Sequence, residues 1–193
     1  MTGEKIVESY IAKTYINDMI NICGKLDIEE IGGIIKTLED ARNKGKRIFV
    51  AGNGGSAATA NHFACDLGKN AAKEDERRFR ILSLSVNIEA ITAYGNDCGY
   101  ENIFSEQLKN HFVNPGEIIL IISASGNSPN VVKLAEYAKS RNAKIISLTG
   151  FNGGKLKKMS DQNINVPVDS YEKIEDIHLM ITHIIVFYFK HCN

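Results

Sequence analysis

Short runs of Ile, Leu and Val, each broken off by small polar residues, constrain this fold most. Arg47-Ile48-Phe49-Val50-Ala51 stops at Gly52-Asn53-Gly54-Gly55-Ser56, and Glu117 to Ile122 stops at Ser123-Ala124-Ser125-Gly126-Asn127-Ser128. Ile81–Ser85 and Lys144–Leu148 are similar, and Ile164–Val168 is a weaker fifth run. Nearly unbroken apolar runs of this length suit strands buried on both faces, as in a parallel sheet under helices. The segments between them read as helices: Ala57 to Lys69, Ile88–Tyr94, one opened by Pro129 with Ser128 as its cap, and an apolar C-terminal helix from Tyr171 to Lys190. Strand alternating with helix predicts an α/β fold, a doubly wound five-stranded parallel sheet. Such sheets bind ligands beyond the carboxyl ends of their strands, where both Gly/Ser-rich loops fall.

Ahead of the first strand, residues 5–25 and 28–44 have helical periodicity. Ile6, Tyr10, Ile11, Tyr15, Ile16 and Ile20 make one stripe, and Ile28, Ile31, Ile34, Ile35 and Leu38 the other. Asp27 is placed to cap the second helix and Gly45 to end it. This N-terminal helical hairpin either covers one side of the core or packs against other subunits. A chain of 193 residues suits a single domain, with 1–45 as hairpin and 46–193 as α/β core.

Lys plus Arg and Asp plus Glu both number 23, so no net charge recommends a nucleic-acid partner. The densest apolar run, Ile184 to Phe189, is far shorter than the roughly 18 residues of a membrane span. With acids and no apolar stretch at the N-terminus, the expected location is cytoplasmic. Cys23, Cys65, Cys98 and Cys192 are scattered and read as reduced thiols. The charged stretch Lys73–Arg80 reads as a solvated loop.

Gly52-Asn53-Gly54-Gly55-Ser56-Ala57 fits a loose dinucleotide-loop template. That fingerprint also requires an acid ending the next strand, and here the strand ends in Leu84-Ser85-Val86-Asn87. No P-loop motif occurs either, so no nucleotide cofactor is expected. Ser123, Ser125 and Ser128 surround Gly126-Asn127 at a helix start, where hydroxyls, backbone N–H groups and the helix dipole make an anion cradle without lysine. The plainer reading is a Ser-rich turn that only caps the helix. A second glycine loop on the same edge favours phosphate.

His62 and Asp66 share a helix face at i and i+4. On the last helix, Glu175 and His183 lie eight residues apart, roughly 80° around the axis, and His178 is about 60° to the other side of Glu175. Two histidines and two carboxylates around one cleft bind a divalent metal of the zinc type, or supply a general acid and base. Spacing does not choose between these roles. His111 and His191 have no partner in register.

The stretches AGNGGSAATANHF, ITAYGNDCGYENIFSEQL, ISASGNSPNVVKLAEYAK and ISLTGFNGGKL resemble the sugar isomerase (SIS) domain family, in particular its phosphoheptose isomerase branch. The resemblance runs over nearly the whole chain, a single SIS domain of residues 1–193. It implies a homotetramer with subunit-shared active sites, converting sedoheptulose 7-phosphate to D-glycero-D-manno-heptose 7-phosphate through an enediol. By analogy Ser123, Ala124, Ser125 and Ser128 hold phosphate, while Asn53, Gly54, Gly55, Ser56, Asn96 and Asp97 line the sugar site. His62, Asp66, Glu175 and His183 fall at the family's zinc-ligand positions, with Asp66 and Glu175 also meeting substrate. The expected base is Asp66 and its partner His183.

Four positions depart from the family pattern. Asp66 stands where Glu is usual, drawing the carboxylate back by roughly 1 Å, a displacement able to cost on the order of 10²-fold in rate. Glu175 replaces a common Gln; read together, a shorter acid on one helix and a charged ligand on the other favour metal binding. Ala124 replaces Thr, and Asn70 stands where Arg often meets substrate. The alternatives are an isomerase of another sugar phosphate and a non-catalytic SIS protein acting through protein contacts. Asp66 and His183 favour the enzyme.

Overall fold

The structure, a computed structural model, describes residues 3–74 and 76–192, with side chains from residue 7 onward. Two helices, α1 (Gly3–Cys23) and α2 (Ile28–Asn43), lead into β1 (Arg47–Gly52), α3 (Gly55–Lys69), β2 (Arg80–Ser83) and α4 (Ile88–Cys98). After a 3-10 turn come α5 (Ile103–Lys109), β3 (Ile118–Ser123), α6 (Pro129–Ser140), β4 (Lys144–Gly150), α7 (Gly154–Met159), β5 (Gln162–Val166) and α8 (Tyr171–His191). The five strands form one parallel sheet in the order β2-β1-β3-β4-β5.

The apolar runs divide by the two-residue period of a strand. Ile48, Val50, Ile118, Leu120 and Ile122 join a core with α2, α3 and α8, whereas Phe49, Ala51, Ile119, Ile121 and Ile145 join one with α5, α6 and α7. Both faces of the sheet are therefore covered, which is why the central strands need no polar alternation. The edge strand β2 is the exception, with Arg80 and Leu82 exposed.

The second edge explains the weak signal of β5. Asn163 donates through Nδ2 to the hydroxyls of Ser147 and Thr149 at 2.8 and 2.9 Å, and Thr149 donates to Asn165 Oδ1 at 2.9 Å. The strand begins at Gln162, earlier than its apolar residues suggest, and ends before Pro167. A proline lacks the N–H that a ladder needs. Glu30 of α2 accepts a hydrogen bond from the Asn163 N–H, covering part of that edge. The short helices α5 and α7 escape the sequence reading because seven and six residues hold too few turns to display a periodicity.

Asp27 caps α2 as expected, accepting from the Glu30 N–H at 2.9 Å, and Gly45 follows with a φ of +65°. The stripe on α1 behaves differently. Tyr10, Ile11, Ile16 and Ile20 point to solvent at 59–69% exposure, and Ile6 lies outside the described side chains. Met19, Ile22 and Cys23 pack on the core, Tyr15 donates to Asp176 at 2.6 Å, and Lys173 pairs with Asp18 at 2.7 Å. Among the described side chains of α1, those tied to this chain's own body lie in its C-terminal half.

The 73–80 segment, with Asp75 outside the described residues, is not simply solvated. Glu76 pairs at 2.6 Å with Arg42, which is buried and lies over the rings of Phe79 and Phe189. The four cysteines are unpaired. Among the described residues no helix is long and apolar enough to cross a membrane.

Candidate functional site

The strand order changes direction between β1 and β3, because β2 lies on one side of β1 and β3 on the other. Loops leaving such a pair go to opposite faces and open a crevice between them. Here those loops are 52–56 and 123–128. They meet at a cavity of about 120 Å3 lined by Asn53, Ser56, Ser123, Ala124, Ser125, Ser128, Tyr171 and Glu175. A larger cleft of about 390 Å3 lies between the end of α1 and the β5–α8 loop, but neither glycine-rich loop nor any histidine lines it.

The serine loop is organised for more than capping. Ser123 and Ser125 accept from the Gly126 and Asn127 N–H groups, both at 3.2 Å, so two hydroxyls shape the turn. Ser128 occupies the N-cap position of α6 yet makes no side-chain capping bond, contrary to the sequence expectation. Its backbone carbonyl accepts from Val131 and Val132 instead. Gly126 has a φ of +61°, and a Cβ there would strike the Gly153 carbonyl, so the loop lies flat against the start of α7.

The glycine loop is held from below. Asn53 and Asn130 exchange two amide hydrogen bonds of 2.9 and 2.8 Å, and Tyr100 donates to Asn53 Oδ1 at 3.2 Å. The Asn53 amide, expected to meet sugar, is thus engaged in fixing the turn. Sequence reasoning missed Asn130, although an asparagine directly after Pro129 in a helix's first turn, where it is buried, is the signal that could have found it. It also missed Tyr100 and Tyr171, which lie far from both loops in sequence and reach them only in the fold. Gly54 supplies a φ of +53° at the turn, and at Gly55 a Cβ would meet the end of the Glu175 side chain, so a side chain there would displace that carboxylate.

Helices α3 and α8 pack side by side, and two points set their register. Glu175 lies against Gly55, while His183 meets His62, so the helices run parallel. At 1.5 Å per residue the two levels are separated by roughly 10–12 Å. At the second level, His62 Nε2 lies 3.0 Å from Asp66 Oδ2 and 3.1 Å from His183 Nε2, with the imidazole centroids 5.0 Å apart. Asn70 Nδ2 donates to the other Asp66 oxygen at 2.9 Å.

His62, Asp66 and His183 therefore come together, each offering a ligand atom within 4.8 Å of the others. A single Nε2 proton cannot point at an oxygen and a nitrogen at once, so the cluster is a donor set suited to a cation at its centre. Bonds of about 2.0–2.2 Å in a tetrahedron give ligand–ligand edges of about 3.3–3.6 Å. The observed 3.0 and 3.1 Å contacts are near that spacing. Two histidines and one carboxylate leave the fourth position open, the pattern of a catalytic site.

Not all of the expected residues meet in this chain. Glu175 does not join that group, because its carboxylate lies against Gly55, so three of the four expected ligands come together here. Asn96 and Asp97 are exposed near the end of α4, with Asn96 donating to Asp97 at 2.8 Å, and they do not line the cavity of this chain. No residue of α4 is buried.

His178 is fully buried and separate from the cluster. Its Nε2–H donates to the Thr149 carbonyl at 3.1 Å, and its Nδ1 has no partner. Burial pushes its pKa down to about 4, opposed by the Thr149 carbonyl. His111 is also shifted down, first by burial and then by Arg47.

Comparison with known proteins agrees with the geometry. The SIS domain family matches residues 14–150. A probable phosphoheptose isomerase of Thermoplasma acidophilum is 36% identical over 174 residues, covering 90% of this chain and 94% of that protein. A phosphoheptose isomerase of Helicobacter pylori (strain Shi470) is 42% identical over 79% of this chain and 76% of its own length. The structure of a phosphoheptose isomerase from Francisella tularensis superposes with a TM-score of 0.86 at 29% identity, covering 98% of this chain and 99% of that one.

Proposed function

Because the chain belongs to the SIS domain family, in its phosphoheptose isomerase branch, we propose that it converts sedoheptulose 7-phosphate to D-glycero-D-manno-heptose 7-phosphate. It is an aldose–ketose isomerase of sugar phosphates. The observation that carries the substrate is the pairing of the serine cradle with the His62–Asp66–His183 cluster two helical turns away along α3 and α8. A seven-carbon chain with C–C bonds of ~1.5 Å extends on the order of 10 Å from its phosphate, comparable to that separation. A three-carbon sugar phosphate does not reach.

In this reading the phosphate sits among Ser123, Ser125 and Ser128, accepting hydrogen bonds from hydroxyls and backbone N–H groups at the positive end of α6. Ala124 contributes its backbone alone. Glu175, which lines the same cavity as the serines at the near end of the groove, accepts from sugar hydroxyls. Asp66 takes the proton from the carbon beside the carbonyl, and His183 carries a proton between the two oxygens as the enediol forms and collapses. His62, Asp66 and His183 are the residues that would hold zinc. Bound there, the metal supplies polarisation of the carbonyl.

The same proposal includes a homotetramer with shared sites. The exposed stripe of α1 and the unburied α4, with Ile88 at 69% exposure, support it. On this view Asn96 and Asp97 complete a neighbouring subunit's groove. A cytoplasmic location agrees with the four unpaired cysteines.

The test is an NMR time course of the metal-analysed protein with sedoheptulose 7-phosphate in deuterated water. An aldoheptose 7-phosphate bearing deuterium at C2 is expected, with loss of turnover in Asp66→Asn and His183→Asn. Saturable binding without turnover when zinc is supplied would move the assignment to another sugar phosphate or a sensor. Absence of binding would refute the enzyme reading.

A further inference from the structure

We infer that Asn70 is a positioning residue that assigns the two oxygens of Asp66 different tasks. The inference rests on the proposed isomerase site but concerns an interaction that can be measured without turnover. Asn70 follows the last residue of α3, and its backbone N–H donates to the Asp66 carbonyl at 2.7 Å. Its side-chain Nδ2 then donates to Asp66 Oδ1 at 2.9 Å. Residues four apart on a helix face one another, which makes this contact local and geometrically defined. With Oδ1 engaged, Oδ2 is the oxygen turned to His62 at 3.0 Å, inside the cluster completed by His183.

The placement answers the shortened acid. An aspartate carboxylate lies closer to its own helix than a glutamate's and has fewer torsions to lock. An amide one turn onward reaches it, and a single hydrogen bond then fixes the carboxylate plane. A long cationic side chain at position 70 would extend past Asp66 toward the groove. The Asn instead stays half-buried beside the acid. Partners of this kind, which hold a ligating or reacting carboxylate from behind, typically matter by about 10–100-fold in metal affinity or activity.

The experiment compares the wild type with Asn70→Leu, which keeps the bulk and removes the donor, and Asn70→Gln, whose amide reaches an Asp at i−4. Asn70→Ala serves as a second donor-free variant should the Leu variant fold poorly. Two quantities are read: zinc affinity, by competition with a chromophoric chelator, and kcat and KM for sedoheptulose 7-phosphate. Expected for the donor-free variants is a loss of about 10–100-fold in zinc affinity and in kcat, with KM changed less than about threefold, and recovery in Asn70→Gln.

Unchanged zinc affinity and kcat in a folded donor-free variant overturns the inference. A rise in KM alone also overturns it, because Asn70 would then be a substrate contact. If the wild type binds zinc but isomerises no sugar phosphate, the function is wrong and the zinc arm still decides the role of Asn70. A wild type that does neither removes both.

Discussion

The neutral His178 beneath the β4 carboxyl end makes stability depend on pH in a calculable way. Its folded-state pKa is pushed by burial from an ordinary 6.5 to about 4. Between those values the unfolded chain binds a proton that the folded one refuses, so stability is complete above pH 6.5 and lost as pH falls toward 4. One pKa unit is worth about 1.4 kcal/mol, which puts the full loss near 3 kcal/mol and the loss between pH 7.5 and 4.5 at about 2.5 kcal/mol. For a chain of this size that corresponds to roughly 5–10 °C in melting temperature. Other groups titrate over the same range, so the informative quantity is a difference between proteins. Urea denaturation at one protein concentration, at both pH values, is compared for the wild type and His178→Gln. The variant keeps an amide donor for the Thr149 carbonyl and starts out less stable, but its loss on acidification is smaller by about 2.5 kcal/mol. Equal losses would mean that His178 is not held neutral by burial, and the argument would fail.

Three further substitutions probe the site and its frame. Ser128→Ala changes stability by less than about 0.5 kcal/mol, since no capping bond is lost, but raises KM for the sugar phosphate about tenfold or more through the missing charge-assisted hydrogen bond. A loss near 1 kcal/mol with KM unchanged would restore the capping role. Gly55→Ala displaces the Glu175 carboxylate and lowers kcat/KM by on the order of 10²-fold without unfolding the protein; wild-type kinetics would contradict the Glu175 placement. Glu117 is buried, receives Arg47 Nε and Nη2 at 2.6 and 2.8 Å, and accepts from the Asn114 N–H. Burial pushes its carboxyl up, but Arg47 and the Asn114 N–H hold it below its ordinary value overall. Glu117→Gln costs about 3 kcal/mol, at the low end for a broken buried pair because Arg47 keeps some access to water. Denaturation that shows under 1 kcal/mol would refute that valuation.

The strands, their parallel order of burial and the two ligand-facing loops were legible because each is a local pattern. Unbroken Ile and Leu at 118–122 require cover on both faces, and Gly52 to Ser56 cannot continue a strand. The His62–Asp66 pairing was legible for the same reason, being set by one helical turn. Other features were decided by which elements meet. The angle between Glu175 and His183 permits a shared centre, but the parallel register of α3 against α8 puts one at Gly55 and the other at His62. Asn53 carries no sign in its own neighbourhood that Asn130, 77 residues later, occupies its amide. The α1 stripe has a periodicity that identifies an apolar face, and only packing reveals that this chain leaves the face uncovered. Periodicity records how a residue is oriented on its own element, because that follows from backbone geometry. The partner it finds follows from packing between elements distant in sequence, where a register shift of one turn exchanges one neighbour for another.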